Sequence, residues 1–319
     1  LTGATGFVGS HVAEALLSRG DDLTCLARRP ERLAALAARG ARVVEGSLED
    51  APALAAALAG AEAVYHVAGV TAAPDEAEYL AVNEGGTRRL LEAAGRTAPG
   101  SRFVYVSSQA AVGPSAPGER TAEDAPCRPV TAYGRSKLAG ERAVMESDLG
   151  WVIVRPPAVY GPRDREFLRL FRLVRRGLAP VFGFGRQELS LVYAEDLARA
   201  VALAGVAGRT GQIYHAAHPE VVLARHVPYA MGRALSRSPF LIPVPARLAA
   251  PIVRAIGRRA AARGRRTVVS EDKLAEFLAP SWVLSAAKAE RELGWRAAHD
   301  LASGMRKTAE WYRAEGWLS

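Results

Sequence analysis

Short apolar runs alternate with helical patterns through the first two thirds of the chain. Leu23-Thr24-Cys25-Leu26-Ala27, Arg42-Val43-Val44-Glu45, the stretch from Ala63 to Gly69, Arg102-Phe103-Val104-Tyr105-Val106 and Trp151-Val152-Ile153-Val154-Arg155 have the length and residue types of buried strands. Between them, apolar residues fall at helical spacing: Val12, Ala13, Leu16 and Leu17, then Glu31 to Ala38, Ala53 to Leu58, Tyr79 to Ala94, and the segment holding Tyr133 to Lys137. Strands that alternate with helices predict an α/β fold, a parallel sheet with helices on both faces. Leu189 to Ala194 predicts a further strand feeding a helix at Glu195-Asp196. Beyond about residue 220 the rhythm fades, and a mostly helical remainder is expected.

The first candidate chemistry lies at the start. In Thr2-Gly3-Ala4-Thr5-Gly6-Phe7-Val8-Gly9 the glycines fall at every third position, directly before the first helical pattern. Gly3 and Gly6 allow a tight turn and close approach of a ligand, and Gly9 allows close helix–strand packing. Free N–H groups around Thr5, Phe7 and Val8, with the helix dipole behind them, suit a pyrophosphate. In a dinucleotide fold, the residue about twenty positions on faces the adenosine ribose: an acid binds a 2′-hydroxyl, an Arg accommodates a 2′-phosphate. Here Arg28 and Arg29 follow the second strand, so NADP(H) is favoured with NAD(H) as the alternative, and Arg28 is the first choice of contact.

The second candidate is a set of three. Ser107-Ser108 ends the Arg102–Val106 run, and Tyr133 and Lys137 are four apart, hence on one helix face. A free tyrosine ionises near pH 10, and a nearby ammonium is expected to lower that value. Such a phenol can give a proton to a carbonyl oxygen or take one from an alcohol, while a serine hydroxyl holds the same oxygen. His66, inside an apolar run, reads as structural rather than as a base.

Composition narrows the class. The 319 residues, 49% hydrophobic and 24% charged, describe a globular protein with a substantial core, and no run of 18 apolar residues suggests a membrane span. Two cysteines, Cys25 and Cys127, make no disulfide framework, and no Cys/His cluster has metal-ligand spacing. A reducing, cytoplasmic setting is therefore expected, with no metal. The net charge of +9 is almost all arginine, and no nucleic-acid motif accompanies it, so it reads as a solvated surface or as a match to an anionic cofactor or substrate. The sequence starts at Leu1 with almost none of the strand that the glycine turn requires, and a few preceding residues are expected.

Taken together, the motifs resemble the extended short-chain dehydrogenase/reductases of the NAD(P)-dependent epimerase/dehydratase superfamily. The residues that carry the resemblance are the glycine turn, His66-Val67-Ala68-Gly69, Asn83 with Gly86-Thr87, Ser107-Ser108, Tyr133-Gly134-Arg135-Ser136-Lys137, Arg155-Pro156, Val159-Tyr160-Gly161-Pro162 and Asp196, with Glu292 to Trp295 and Trp311-Tyr312 near the C-terminus. The resemblance implies a Rossmann-type doubly wound sheet with a smaller, mostly helical C-terminal substrate lobe. It implies Tyr133 as acid/base, Lys137 as its tuner and ribose contact, Ser108 as orienter and Asn83 as support for the active-site helix. Cofactor contacts would come from the glycine turn, Ser47, Leu48, Ala68, Gly69, Ser107, Tyr133, Lys137, Pro156, Ala158 and Val159. It also implies a homodimer through the helices that bear Asn83 and Tyr133.

Departures from the family pattern sharpen the expectation. Gln109-Ala110 follow Ser108 where nucleotide-sugar dehydratases carry Asp-Glu, Ala158 stands where nucleotide-sugar enzymes tend to have Asn, and Leu189-Ser190 occupy the place of a diphosphate-clamping Arg. Arg163, Arg165 or Arg186 could compensate. Ser47 replaces an Asp that the family often places near adenine. The pattern is closer to the dihydroflavonol reductase and 3β-hydroxysteroid dehydrogenase-like branch. The expected activity is NADPH-dependent interconversion of a small-molecule carbonyl and alcohol, with a nucleotide-sugar epimerase as the alternative and a non-catalytic dinucleotide sensor as a more distant one. Residues 1–165 and 188–218 are expected to bind the cofactor, and 166–187 and 219–319 the substrate. Apolar Pro243 to Gly257, followed by Arg258, Arg259, Arg263, Arg265 and Arg266, reads as a packed helix with a basic loop, or as a greasy entrance near a membrane surface. Trp282, Trp295, Trp311 and Trp317 read as packing residues.

Overall fold

The structure, a computed structural model, describes residues 1–262 and 273–318. Arg263, Arg265 and Arg266 lie outside the described residues. The strands are β1 (Thr24–Ala27), β2 (Arg42–Glu45), β3 (Ala63–His66), β4 (Arg102–Val106), β5 (Gly150–Arg155), β6 (Ala158–Tyr160), β7 (Leu178–Phe182), β8 (Glu188–Leu189), β9 (Leu191–Tyr193), β10 (Gln212–His215), β11 (Val222–Leu223), β12 (Phe240–Val244) and β13 (Ser281–Trp282). β1 pairs with β2, and β3, β4, β5 and β10 follow one another, every pair parallel. Thr2 bridges Leu26 on one side and His66 on the other, so the backbone entering the glycine turn runs mid-sheet.

Period-two alternation explains why both faces are covered. On β4, Val104 and Val106 join one core with Val12, Leu16, Leu197 and Val201, while Phe103 and Tyr105 join the other with Leu54, Leu90, Ala94 and Val144. A third core, including Phe171, Met231, Met305 and Tyr312, is built largely from residues after 160. Asp196 ties the C-terminal segment to the sheet: buried, it pairs with Arg199 at 2.6 Å and accepts the backbone N–H groups of Ala298 and His299. Trp295, fully buried, donates its indole N–H to the Asp196 carbonyl, and Trp311 and Trp317 pack on Tyr312, as their reading as packing residues expects.

Three elements differ from the sequence pattern. The segment expected as one helix from Tyr79 begins at Glu76 and contains a wide π turn over Ala81–Gly85. Leu189 to Ala194 forms two strands, with Ser190 between them accepting from the Leu284 N–H. The region after 220 contains β11, β12 and β13 besides its helices, because each finds its partner far away in sequence.

Candidate active site

The glycine turn is built for close contact. Gly3 has φ +80°, and a Cβ there would come within 2.6 Å of the Ala68 nitrogen; one on Gly9 would overlap the Gly3 carbonyl oxygen. No side chain caps the following Phe7–Arg19 helix, so its first N–H groups, around Phe7 and Val8, stay available to a ligand beside exposed Thr5 and Gly6. Arg28 and Arg29 stand exposed just past β1, with no side-chain hydrogen bond or ion pair among the described residues. Leu48 packs where a Cβ on Gly86 would sit, and the Ser47 hydroxyl accepts the Glu49 N–H. These features fit an anionic dinucleotide laid across the ends of the strands.

Behind β4, Ser107 and Ser108 diverge. The Ser107 hydroxyl donates to buried Glu141, whose carboxylate holds Arg155 at 2.7 and 2.8 Å; Arg155 also reaches the Cys127 sulfur. Ser108 caps the Gln109–Val112 helix through the Ala110 N–H, and its hydroxyl lies near enough to the Tyr133 phenol to oppose the rise in its pKa. Thr131 starts the Ala132–Met145 helix by accepting the Gly134 N–H, which sets Tyr133 in the first turn and Lys137 one turn further. The Pro156 carbonyl accepts the Gln109 N–H, while Ala158 and Val159 lie on β6, Ala158 exposed. Ser108, Tyr133 and Lys137 are thus brought together at the strand ends.

The charge balance differs from the sequence expectation. Burial pushes the Tyr133 phenol up to about 12; the Ser108 hydrogen bond opposes this, and Glu276 and Tyr79 add to it. The Lys137 ammonium does not provide the expected lowering, because it donates to the Val106 carbonyl at 2.8 Å and lies over the Tyr105 ring. Burial brings Lys137 itself down to about 7, opposed by the Glu141 charge. At about 12 the phenol keeps its proton at neutral pH.

Asn83 sits in the π turn, where the extra residue aims its amide inward. It accepts the Val70 N–H at 2.8 Å and donates to the Val70 carbonyl and the Ser136 hydroxyl, so one buried side chain joins the loop after β3 to the helix of Tyr133. A Cβ on Gly69 would come within 2.9 Å of the Asn83 oxygen. His66 is structural: its ring nitrogens face Thr2 and Thr87 at 2.7 and 3.0 Å. Of the three compensating arginines, Arg163 is engaged by Glu14 at 2.7 Å and by His11, and Arg165 lies over Trp317.

Residues that no motif marked also border the site. Lys273 places its ammonium 4.2 Å from the centre of the Tyr133 ring and pairs with Glu276, which also accepts from Thr131. Tyr79 packs against Tyr133 with ring centres 6.0 Å apart. A cavity of about 490 Å³ opens beside Tyr79 and Ala132, and Val253, Gly257 and Arg258 of the Ala246–Ala261 helix line its far side. Lys273 and Glu276 lie about 140 residues beyond Tyr133, and nothing in local spacing marks them.

The model of the family described as NAD dependent epimerase/dehydratase matches residues 1–217. The chain belongs to this family. It is 33% identical to a ceramide reductase of Caulobacter vibrioides (strain NA1000 / CB15N), over 100% of this chain and 95% of that relative. Among solved structures, gox2253 matches with a TM-score of 0.82 at 26% identity, covering 100% of this chain and 98% of the other. MoeE5 in complex with UDP-glucose and NAD matches at 0.78 and 25% identity, covering 98% of each. The chain thus belongs to a family of NAD-dependent enzymes with a Rossmann-like sheet. Among the described residues no helix is long and apolar enough to cross a membrane, and no cluster of His, Cys, Asp and Glu could hold a metal.

Proposed function

We propose that the protein is an NADPH-dependent reductase of a lipid-like ketone or aldehyde, working reversibly on the corresponding alcohol. The observation that carries this reading is Tyr133 placed in the first turn of its helix, one turn before Lys137 and beside Ser108, with no acid pair following Ser108 at Gln109-Ala110. Bound nicotinamide would supply the hydride. The Ser108 hydroxyl would hold the carbonyl oxygen, and Tyr133 would donate its proton to that oxygen as negative charge develops. Lys137, one helical turn beyond Tyr133, would hold the ribose. Asn83 would keep the loop at Val70 and the Tyr133 helix in register. The glycine turn would bind the pyrophosphate, and Arg28 the 2′-phosphate. Substrate would enter between residues 1–165 with 188–218 and the lobe formed by 166–187 and 219–319. Pairing of two copies through the helices that bear Asn83 and Tyr133 belongs to the same reading. Similarity to a ceramide reductase along the whole chain favours a lipid-like substrate over a sugar.

The test is NADPH consumption across a panel of long-chain ketones and aldehydes, with calorimetric titration of NADPH and NADH. Turnover with at least one lipid ketone is expected. Arg28→Asp should weaken NADPH by about 10- to 100-fold, the loss of one charge-assisted contact, with little change for NADH. Equal loss for both would overturn the 2′-phosphate assignment. The likeness to a structure holding UDP-glucose and NAD supports a second reading, nucleotide-sugar epimerisation. That reading requires measurable UDP or TDP binding and no net consumption of cofactor.

A further inference from the structure

β7 and β12 form a two-stranded parallel sheet of their own, with Leu178 opposite Phe240 and Pro180 opposite Ile242. Alternation turns Ala179 and Val181 inward, where they are buried, and sends Leu178, Pro180, Phe240 and Ile242 outward, all exposed. Phe240 is 73% exposed, and Phe184, just past the end of β7, is 71% exposed. The chain then passes from β12 into the Ala246–Ala261 helix, where Leu248 and Ile252, one turn apart, are again exposed. Soluble proteins usually protect such a face with charge or cover it.

The segments that carry this face bear charge of one sign. Residues 167–187 and 221–262 contain twelve arginines and not one Asp or Glu, although the whole chain has 33 acidic residues. Arg175, Arg176 and Arg237 are exposed immediately before the two strands, and Arg247 is exposed immediately after β12. An apolar centre carried by arginine-rich segments matches a bilayer whose acyl region accepts the former and whose anionic headgroups accept the latter. We propose that the β7–β12 face and the adjoining helix dock on an anionic lipid bilayer. The same helix lines, through Val253 and Gly257, the cavity beside Tyr79 and Ala132, so it joins the docking face to that cavity. Docking would let a lipid-like molecule reach that cavity without crossing bulk water.

The test is flotation of the purified protein with vesicles of phosphatidylcholine alone or mixed with phosphatidylglycerol. It needs no turnover, so its outcome is separable from the reductase reading. Binding to the anionic vesicles should exceed binding to the neutral ones by about tenfold or more, and should fall as salt is raised. Phe240→Ser with Ile242→Ser should abolish it, and Arg175→Ser with Arg176→Ser and Arg237→Ser should lower it by about tenfold or more. Both variants should keep the thermal midpoint and NADPH affinity of the wild type. A dye on Phe240→Cys should shift to the blue when anionic vesicles are added, a readout that needs no loss-of-binding variant. No binding at low salt, equal binding by the Phe240/Ile242 variant, or an unshifted dye would overturn the proposal. So would self-association of the wild type that Phe240→Ser abolishes, because the face would then join two copies.

Discussion

Replacing Tyr133 by Phe removes one hydroxyl and leaves the ring, which makes the change informative. The ring contacts with Tyr79 and with the Lys273 ammonium at 4.2 Å depend on the aromatic face and survive. The Ser108 hydroxyl loses its phenol partner but is only partly buried and still accepts the Ala110 N–H. The fold should therefore lose no more than about 1 kcal/mol, seen as a shift of a few degrees at most in the thermal midpoint. NADPH affinity should stay within about twofold, since the contacts proposed for the glycine turn, Arg28 and Lys137 are left in place. Turnover should fall by about 10²- to 10⁴-fold, the range of a positioned general acid, which corresponds to roughly 3–5 kcal/mol of barrier. The assay is steady-state NADPH consumption with the best carbonyl of the panel, beside cofactor calorimetry on the same preparation. With the phenol pushed up to about 12, the wild type should show no loss of reduction through Tyr133 ionisation between pH 6 and 9. A Phe variant within about threefold of wild-type kcat would refute the assignment of Tyr133 as proton donor.

Three further outcomes follow from the packing. Glu141→Gln leaves the buried Arg155 guanidinium without its counter-charge and should cost about 3–5 kcal/mol, measured by urea unfolding. Gly9→Ala drives a methyl group into the Gly3 carbonyl oxygen; a loss of about 1–3 kcal/mol in stability is expected, together with weakened NADPH binding by calorimetry. His66 is held down to about 3, first by burial and then by the Lys137 charge, against about 6.5 in the unfolded chain. The unfolded state therefore binds the extra proton between those values, so stability is intact above pH 6.5 and is lost as pH falls toward 3, by as much as about 5 kcal/mol. His66→Gln should flatten that part of the stability–pH curve, read by chemical unfolding at a series of pH values; an unchanged slope would show that His66 does not carry it.

Local patterns along the first two thirds of the chain reveal the fold because each strand and helix writes its own periodicity. The alternation on β4, with Phe103 and Tyr105 to one side and Val104 and Val106 to the other, is legible in the order of the residues and is what the two cores require. The glycine turn, the exposed Arg28 and the pair Tyr133–Lys137 are likewise local, since a turn, a strand end and one helical turn fix their relative positions. Their assembly is a tertiary matter. Burial sets the phenol up and the ammonium down, and Lys137 turns to the Val106 carbonyl, so spacing alone gave the wrong direction for Tyr133. Glu141 beneath Ser107, Lys273 over the Tyr133 ring and the β7–β12 pairing depend on contacts between residues far apart in sequence, to which no periodicity points. Sequence thus determined which candidate residues stand at the strand ends. Tertiary packing decided the surroundings of those residues and which apolar face is exposed among the described residues, because desolvation and pairing are properties of neighbours in space rather than of neighbours along the chain.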